Sequence, residues 1–297
     1  AKHRFIGIYR EVVKRLHHVE FVVYEPADCR VASWFSGAPN VSARPTPLPS
    51  QGRARRYLEG LRYWRSALSR EGLDLFECLN LPVVKAPTGR TLLLIHDVRC
   101  LRRESSAWER TLFKMVLSRS LKQVDHVVTV SESMKKEIGG LYPNVPISVI
   151  YNGLEAAEFA RISDADLREF KRKFEIPEEF VLAVGHFEDR KNYLRLIDAI
   201  ALLRDRGRSC PLLIIGNDSG ERKAVEEKVA SLKLAAGVKI LSGISDLEVR
   251  CAYRLCSLFV FPSSYEGFGI PILEAMAARR PMVLSDLPVF REITQDK

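Results

Sequence analysis

The sequence predicts an α/β protein built from two doubly wound domains, and three features of the chain support that prediction. Short apolar runs alternate with amphipathic helical stretches along most of its length. Several of these runs consist almost entirely of Val, Ile and Leu, which is typical of strands buried on both faces of a parallel sheet. The chain has 297 residues, of which 46% are apolar, so it can form two sizeable cores.

The predicted strands are the mainly apolar segments Phe21–Tyr24, Leu92–Ile95, Val127–Val130, Ile147–Ile150, Val181–Val184, Leu212–Ile215, Val238–Leu241, Phe259–Phe261 and Met282–Leu284. The clearest helices between them are predicted at Ser133–Gly139, Tyr193–Arg204, Glu221–Leu232 and Asp246–Cys256. Strands that alternate with helices in this way form parallel sheets with right-handed crossovers.

Two segments interrupt the alternation and indicate how the chain is divided. Residues 154–178 are polar and charged and have no strand pattern. We therefore expect an N-terminal domain at 1–160, a connector at 161–178 and a C-terminal domain at 179–297. Residues 31–52 are rich in Pro, Ser and Gly, so they are predicted to form an irregular, mobile loop.

Composition narrows the environment and the partners of the protein. No apolar run approaches the roughly 20 residues that span a bilayer, and the first residues lack the apolar core of a signal peptide, so a cytoplasmic location is expected. The six cysteines form no CxxC pair and no metal-ligand spacing, which indicates free thiols. The net charge is +9, and residues 1–169 carry 26 Lys and Arg against 19 Asp and Glu, which favours an anionic partner. Nucleic acid is not predicted as that partner, because no known binding motif is recognisable.

The strongest motif is SYEGFGIPILEAMA at Ser264–Ala277. Gly267 and Gly269 allow the backbone to approach a ligand closely, and the free N–H groups at the start of the following helix favour an anion such as a diphosphate. Glu274 lies in that helix, where a carboxylate can accept both hydroxyls of a ribose. The alternative is an ordinary strand–turn–helix with surface glutamates, which the agreement of spacing, glycines and apolar frame disfavours.

A second motif, GHFEDRKN, occupies Gly185–Asn192 after a predicted strand. Arg190 and Lys191 stand just before the next helix, and two adjacent cations in such a place suit a diphosphate. Taken alone, an Arg-Lys pair is typical of a solvated surface. Beside the glutamate motif it indicates a phosphate site at the carboxyl ends of the strands, where open α/β sheets bind their ligands.

The two motifs resemble those of the retaining glycosyltransferases of family 4, in which a strand ending in VG, an acidic loop and RKN precede EGFG, a proline and EAMA. Weaker similar pieces are FIGIYREVV near the start, LIHD at 94–97, VTVSES at 128–133 and VIYNG at 149–153. The resemblance implies the GT-B fold, in which two Rossmann-like domains face each other across a cleft. It also implies transfer of a hexose such as mannose from a GDP- or UDP-sugar to a polysaccharide or lipid-linked oligosaccharide precursor, with no further cofactor.

The resemblance assigns roles to individual residues. Arg190 and Lys191 would bind the donor diphosphate, Glu266 would contact the transferred sugar, and Glu274 would hold the ribose. His96 would lie opposite them, near the sugar and the acceptor. The other donor contacts would come from Gly7 in an N-terminal loop, from Leu241 and Gly243 at the base pocket, and from the turn formed by Gly267, Phe268, Gly269 and Ile270.

The implied reaction retains the configuration of the sugar and forms no covalent enzyme intermediate, because the donor phosphate itself takes the acceptor proton. The protein would contribute orientation and stabilisation of the departing diphosphate. No essential metal is expected. Asp164 and Asp166 match a DxD pattern, but they precede a predicted helix and are interpreted as capping residues.

The segment Arg53–Arg70 is predicted to be a basic amphipathic helix. Its apolar stripe consists of Tyr57, Leu61, Trp64 and Leu68. Such a helix can lie on an anionic membrane, which would suit a phospholipid-linked acceptor and peripheral membrane contact. It can equally pack its stripe against the sheet and solvate its arginines, and both interpretations stay open.

Some positions depart from the family pattern. Arg279 stands where the family usually has a glycine after EAMA, and a left-handed residue other than glycine costs on the order of 1 kcal/mol. His186 stands where many relatives carry an additional phosphate-binding Arg. The chain is also expected to lack a first strand and the last helices of the fold. A catalytically degenerate GT-B scaffold is therefore one alternative, and a sugar-nucleotide epimerase is another that the EGFG-x4-E arrangement disfavours.

Overall fold

The computed structural model describes residues 2–35, 37–49, 53–79, 81–102 and 106–296. It confirms an α/β protein with parallel sheets. The chain divides into two compact units, Ala1–Gly153 and Leu154–Lys297, which we call unit 1 and unit 2.

Unit 1 contains two parallel sheets within its described residues. Its strands are β1 (Phe21–Glu25), β2 (Val41–Pro45), β3 (Leu75–Cys78), β4 (Arg90–Ile95), β5 (His126–Thr129) and β6 (Ile147–Val149). β1 pairs with β2, and the other four strands form a sheet in the order β3-β4-β5-β6. The helices are α1 (Lys2–Arg15), α2 (Arg53–Leu68), α3 (Ala107–Leu121) and α4 (Glu132–Leu141).

Unit 2 contains a five-stranded parallel sheet in the order β11-β10-β7-β8-β9. The strands are β7 (Val181–Val184), β8 (Leu212–Ile215), β9 (Val238–Leu241), β10 (Leu258–Phe261) and β11 (Met282–Leu284). The helices are α5 (Ala157–Ala160), α6 (Asp164–Phe174), α7 (Tyr193–Asp205), α8 (Arg222–Ser231), α9 (Asp246–Leu255), α10 (Ile270–Ala277) and α11 (Pro288–Thr294).

The central strands β7 and β8 of the unit 2 sheet are buried on both faces, which explains their apolar sequences. Leu182 and Leu213 pack on one face in a core shared with α6, α9, α10 and α11. Val181 and Ile214 pack on the other face with α7 and α8. Since neither face meets water, successive residues of β7 and β8 are all apolar.

All the predicted strands are found, and four of them have the predicted limits: Val181–Val184, Leu212–Ile215, Val238–Leu241 and Met282–Leu284. Two strands of unit 1, β2 and β3, were not predicted. Residues 31–52, which were expected to be irregular, contain β2 and a 3-10 turn at Ala32–Phe35. That part of the loop prediction was wrong because VSARP lacks a continuous apolar run, and β2 pairs with β1 through its backbone.

Residues 154–178, which comprise the expected connector 161–178 and the end of the expected N-terminal domain, are folded into unit 2. Its helices α5 and α6 contribute Phe159 and Phe170, which are both 2% exposed, to the larger core. Ser163 caps α6, and the carboxylate of Asp166 accepts hydrogen bonds from the N–H and hydroxyl of Ser163 at 2.9 and 2.6 Å. Asp166 therefore has the capping role that was predicted for the DxD pattern.

The N-terminal loop predicted around Gly7 is wrong. Gly7 lies inside α1 (Lys2–Arg15). Ile6, Tyr9 and Val13 recur at helical spacing and turn inward, and one glycine costs a helix only about 1 kcal/mol. A loop position over a diphosphate is therefore not available to Gly7.

The predicted basic helix at Arg53–Arg70 corresponds to α2, and the second half of its stripe packs inside unit 1. The ring of Trp64 lies 5.0 Å from that of Tyr24 and 5.6 Å from that of Phe76, between centroids, and Leu68 is buried. The side chains of Arg53, Arg56, Tyr57 and Leu61 lie outside the described residues. Because Trp64 and Leu68 pack inside unit 1, the prediction that the stripe contacts a membrane is wrong for these two residues. Among the described residues, no helix has both the length and the apolar character needed to cross a bilayer.

Candidate functional site

Two glycines shape the backbone at the carboxyl ends of β7 and β8. Gly185 follows β7 with a φ of 152°, and a Cβ on it would lie 2.9 Å from Cε of Lys191. Gly216 follows β8, and its Cβ would lie only 1.9 Å from the carbonyl oxygen of Gly185. Only glycine fits at position 216, so the two strand ends can approach each other closely.

The RKN sequence forms a short turn that is tied to the second motif. Asp189–Lys191 is a 3-10 turn that ends at Asn192, whose φ of 57° is left-handed. Asn192 Nδ2 donates to the carbonyl of Pro262 at 3.2 Å, and the N–H of Ser264 donates to the carbonyl of Arg190 at 2.8 Å. Asparagine tolerates the left-handed conformation better than most residues, which accounts for its position after the cations.

Both cations contact one carboxylate of the second motif. Lys191 Nζ lies 2.7 Å and Arg190 Nη1 lies 2.6 Å from Oε1 of Glu266. Arg190 Nε also pairs with Glu188 at 2.5 Å. Residues that are 75 positions apart in the sequence thus meet. We call Glu188, Arg190, Lys191 and Glu266 the cation–glutamate cluster.

The cluster is largely withdrawn from water. The side chains of Lys191 and Glu266 are 7% and 11% exposed. Burial lowers the pKa of Lys191, although the Glu266 carboxylate acts in the opposite direction. Burial also acts to lower the pKa of Arg190, but Glu266 and Glu188 outweigh it, so that this pKa is raised. The carboxylates therefore replace the water that would otherwise stabilise the two cations.

Two neighbours of the cluster fix its geometry. The hydroxyl of Ser263 donates to Oε1 of Glu266 at 2.9 Å. The ring centroid of Phe261 lies 4.6 Å from Lys191 Nζ, which is within cation–π range. Tyr193 is a third buried neighbour. Its hydroxyl donates to the carbonyl of Gly185 at 2.9 Å, and burial raises the pKa of Tyr193, so it remains a neutral donor.

The glycine turn leads directly into α10. Gly269 is the N-cap residue with a φ of 137°, Ile270 is the first helical residue, and a proline lies in the first turn. Gly267, Phe268 and Gly269 are all buried. Because the first N–H groups of a helix lack partners within it, such a turn can bind phosphate oxygens.

α10 ends in a left-handed turn despite the absence of glycine. Arg279 has a φ of 56°. Its N–H donates to the carbonyl of Met276 at 2.9 Å, and the N–H of Arg280 donates to that of Ala275 at 3.0 Å. This is the Schellman pattern of hydrogen bonds, so the departure at Arg279 leaves the shape of the turn unchanged.

Glu274 is oriented by a buried tyrosine. The hydroxyl of Tyr253 in α9 donates to Oε2 of Glu274 at 2.9 Å. Burial, followed by the Glu274 carboxylate, raises the pKa of Tyr253 well above its usual value. Tyr253 therefore stays protonated and holds one carboxylate oxygen in place.

The turn after β9 lies beside the turn after β8. Leu241 is the last residue of β9, and Gly243 has a φ of 66°. The N–H of Gly243 donates to Oδ1 of Asn217 at 3.1 Å, and the hydroxyl of Ser242 donates to the carbonyl of Gly216 at 2.6 Å. These polar contacts give the predicted base-pocket residues a defined position at the same sheet edge as the cluster.

His96 belongs to unit 1. It is half-buried and follows β4 directly, which places it at the carboxyl end of a central strand. The next residue, Asp97, accepts a hydrogen bond from the N–H of Arg99 at 3.1 Å. Within the residues that the structure describes, no three His, Cys, Asp or Glu side chains are grouped in a way that could hold a metal ion.

Two family profiles match this chain. The profile described as Glycosyl transferases group 1 matches residues 166–297. The profile described as Glycosyltransferase Family 4 matches residues 5–158, which is more than half of the chain. The chain belongs to glycosyltransferase family 4. The family predicted from the two motifs is thereby confirmed, whereas the retaining stereochemistry remains a prediction.

Relatives of this family 4 chain include two mannosyltransferases. It is 31% identical over 203 residues to the O-antigen chain mannosyltransferase RfbU of Salmonella typhimurium, a match that covers 68% of this chain and 53% of RfbU. It is 27% identical over 225 residues to the serotype-specific mannosyltransferase WbdA of Escherichia coli, covering 72% of this chain and 27% of WbdA. The chain thus spans about half the length of RfbU and about a quarter of WbdA.

Solved structures of two glycosyltransferases share the fold. WaaG, a glycosyltransferase involved in lipopolysaccharide biosynthesis, superimposes with a TM-score of 0.74 at 20% identity, over 99% of this chain and 79% of WaaG. HepE of Anabaena, in complex with UDP and glucose, gives a TM-score of 0.69 at 19% identity, over 98% and 78% of the two chains. Both are GT-B enzymes, which confirms the predicted fold type.

Most of the site residues predicted for the family 4 chain lie in unit 2. Arg190, Lys191 and Glu266 are in direct contact. Of the predicted donor residues, Leu241 ends β9, Gly243 lies in the turn after it, Gly267–Ile270 lead into α10, and Glu274 lies within α10. Sequence reasoning missed Tyr193, Ser263 and Tyr253. The first two directly follow RKN and precede SYEG in the printed sequence, so their proximity to the motifs was the available signal.

Proposed function

We propose that this chain carries the donor site of a retaining glycosyltransferase. The enzyme transfers a hexose from a nucleotide diphosphate sugar to a polysaccharide or lipid-linked oligosaccharide precursor. The observation that supports this most is the cation–glutamate cluster, in which both cations of one motif meet a carboxylate of the other. The cluster adjoins the residues that lead into α10, where a diphosphate finds backbone donors.

In this proposal, Arg190 and Lys191 bind the donor diphosphate. A guanidinium and an ammonium offer charge-assisted hydrogen bonds to phosphate oxygens. Their positions are fixed before the donor arrives, because Glu266 and Ser263 hold the cluster together. Charges that are held in place stabilise a departing diphosphate without having to reorganise.

Glu274 takes the ribose hydroxyls, and the turn containing Leu241 and Gly243 lines the base pocket. Tyr253 orients the Glu274 carboxylate. In the same proposal, Glu266, which contacts both cations, binds the sugar that is attached to the diphosphate. His96 serves the acceptor side of the reaction from unit 1.

The transfer step breaks the bond between the anomeric carbon and the diphosphate oxygen and forms a bond from the same carbon to the acceptor oxygen. The acceptor proton passes to an oxygen of the departing diphosphate on the same face, so the configuration is retained. The chain supplies orientation and charge stabilisation, and the step requires neither a protein nucleophile nor a metal.

The relatives support a hexose as the transferred sugar, and they favour mannose over other hexoses. RfbU and WbdA are both mannosyltransferases, and RfbU acts on the O-antigen chain. A saccharide that grows on a lipid or a polysaccharide is the acceptor class we infer.

A panel of donors tests the proposal. The thermal-shift panel compares GDP-mannose, UDP-glucose, UDP-N-acetylglucosamine and the free nucleotides. Ligands that carry one of the two bases, guanine or uracil, should stabilise the chain by up to about 2.7 kcal/mol at a hundred times their Kd. Transfer to a lipid-linked saccharide is then followed by NMR in the presence of EDTA, and the product should keep the anomeric configuration of the donor.

Each part of the proposal has its own contrary result. If no donor in the panel stabilises the chain, the proposed donor site is contradicted. Binding without release of a nucleoside diphosphate would instead support the scaffold alternative. An inverted product, or activity that EDTA abolishes, would contradict the retaining, metal-free reaction.

A further inference from the structure

One helix of unit 1 turns apolar side chains toward solvent. On α3, Trp108, Leu112 and Met115 are 68%, 40% and 43% exposed. They stand at i, i+4 and i+7, so they lie on one line along the helix. Arg119 and Lys122 continue the same spacing and are also exposed. We call these five residues the α3 outer face.

The orientation of α3 is fixed by its opposite side. Leu117 and Leu121 are buried, at 0% and 6% exposure. The hydroxyl of Ser120, itself buried, accepts a hydrogen bond from the N–H of Val83 at 3.1 Å. The helix also begins with a capping box at Ser106. Rotating the outer face inward would break these contacts, so its exposure is a property of the folded unit.

The charge of unit 1 suits an anionic partner. Its 153 residues carry 24 Lys and Arg against 14 Asp and Glu, a balance of +10, whereas unit 2 carries 22 against 23, a balance of −1. Within the described part of unit 1, neither Arg119 nor Lys122 forms an ion pair. The two cations at one end of the apolar line are therefore available to phosphate groups.

We propose that the α3 outer face docks on an anionic lipid bilayer. Trp108, Leu112 and Met115 enter the boundary between headgroups and acyl chains, a depth that tryptophan favours. Arg119 and Lys122 contact lipid phosphates. Three apolar side chains cover less than the ~800 Å² that each partner contributes to a standard protein interface, which favours a lipid surface over a protein. The inference depends on unit 1 alone and not on the proposed transfer reaction.

Vesicle binding tests this proposal. The 297-residue chain should co-sediment with phosphatidylcholine vesicles that contain about 30% phosphatidylglycerol and bind pure phosphatidylcholine much more weakly. The variant Trp108→Ser/Leu112→Ser/Met115→Ser should lose at least about tenfold in the partition coefficient. Arg119→Gln/Lys122→Gln should lose roughly 30-fold at low salt, given about a fivefold loss for each cation, and high salt should weaken the binding of the unmodified chain.

Leu202→Ser is the matched control, because Leu202 is an equally apolar, 59% exposed residue on α7 of unit 2. It should leave vesicle binding unchanged. All variants should keep the unfolding temperature and the donor thermal shift of the unmodified chain, which separates this test from that of the proposed function. Absence of binding to anionic vesicles, or equal binding by the triple variant and Leu202→Ser, would overturn the proposal. So would a dimer in light scattering that the triple variant abolishes, because the face would then cover a second copy.

Discussion

The two units carry their positive charge in contrasting ways. Unit 1 has an excess of ten cations over anions, and Arg119 and Lys122 among them are exposed. Unit 2 is nearly neutral overall, yet it buries Arg190 and Lys191 against Glu266. Exposed, uncompensated charges act over long distances and are screened by salt, whereas buried, paired charges act on a ligand that touches them. The contrast indicates that the net charge of a unit determines which partners its surface attracts, whereas the pairing of individual charges determines what a buried site can bind.

Replacing Lys191 should have the largest effect, because it removes one of the two buried, paired cations of unit 2. Lys191→Ala should weaken binding of the nucleotide-sugar donor by about 30- to 100-fold, or roughly 2–3 kcal/mol, because a charge-assisted hydrogen bond is lost and Glu266 keeps Arg190 as its remaining cation. Isothermal titration calorimetry at two salt concentrations measures the loss.

The matched control for that substitution is Lys223→Ala. Lys223 is 87% exposed and lies 3.7 Å from Glu227 on α8, so it represents a surface pair of small energetic value. Donor affinity should not change in this variant. Equal affinities for the Lys191 and Lys223 variants would mean that the buried cluster does not hold the diphosphate.

Replacing Glu274 tests the site more finely, because the loss of affinity should depend on whether the ligand has a ribose. Glu274→Ala should weaken the binding of a nucleoside diphosphate by about tenfold, or 1–2 kcal/mol, through lost hydrogen bonds to the ribose. Inorganic pyrophosphate has no ribose, so its affinity should be the same for both proteins. Competition binding with the two ligands gives the result, and an equal loss for both would contradict the assignment of Glu274 to the ribose.

The smallest effect is expected at the end of α10. Arg279→Gly should raise the free energy of unfolding by about 1 kcal/mol, because glycine adopts the left-handed conformation without steric cost. Chemical denaturation measures the change, and Arg279→Ala, which keeps a Cβ, should bring no such gain. A gain in the alanine variant would assign the effect to the removed charge instead of the backbone.

The fold of unit 2 could be predicted closely, and that of unit 1 less so, for a physical reason. Strands β7 and β8 are buried on both faces, so their sequences are unbroken apolar runs with clear ends. β2 carries Arg44 and β3 carries Glu77, and both strands lie at the edge of a sheet. Their backbone pairing leaves no apolar pattern to detect. The family resemblance assigned Gly7 to a loop, although the neighbours of Gly7 have helical spacing.

The site shows the same limit. The spacing of the motifs was enough to predict that Arg190 and Lys191 belong with the glutamates. It could not predict that both cations share one oxygen of Glu266, or that Ser263 donates to that oxygen. It also gave no sign of Tyr253, which contacts Glu274 from a different helix. Contacts of this kind arise from tertiary packing, which no local pattern encodes.

The pairing inside the cation–glutamate cluster has a consequence for selectivity. Arg190 and Lys191 are balanced by Glu188 and Glu266, so the formal charge of the cluster is zero. A cluster with no net charge attracts distant small anions only weakly. A ligand must instead offer enough simultaneous contacts to outcompete the resident carboxylate oxygens. If the proposed function holds, the cluster selects a diphosphate by the number of contacts that it offers and not by net charge.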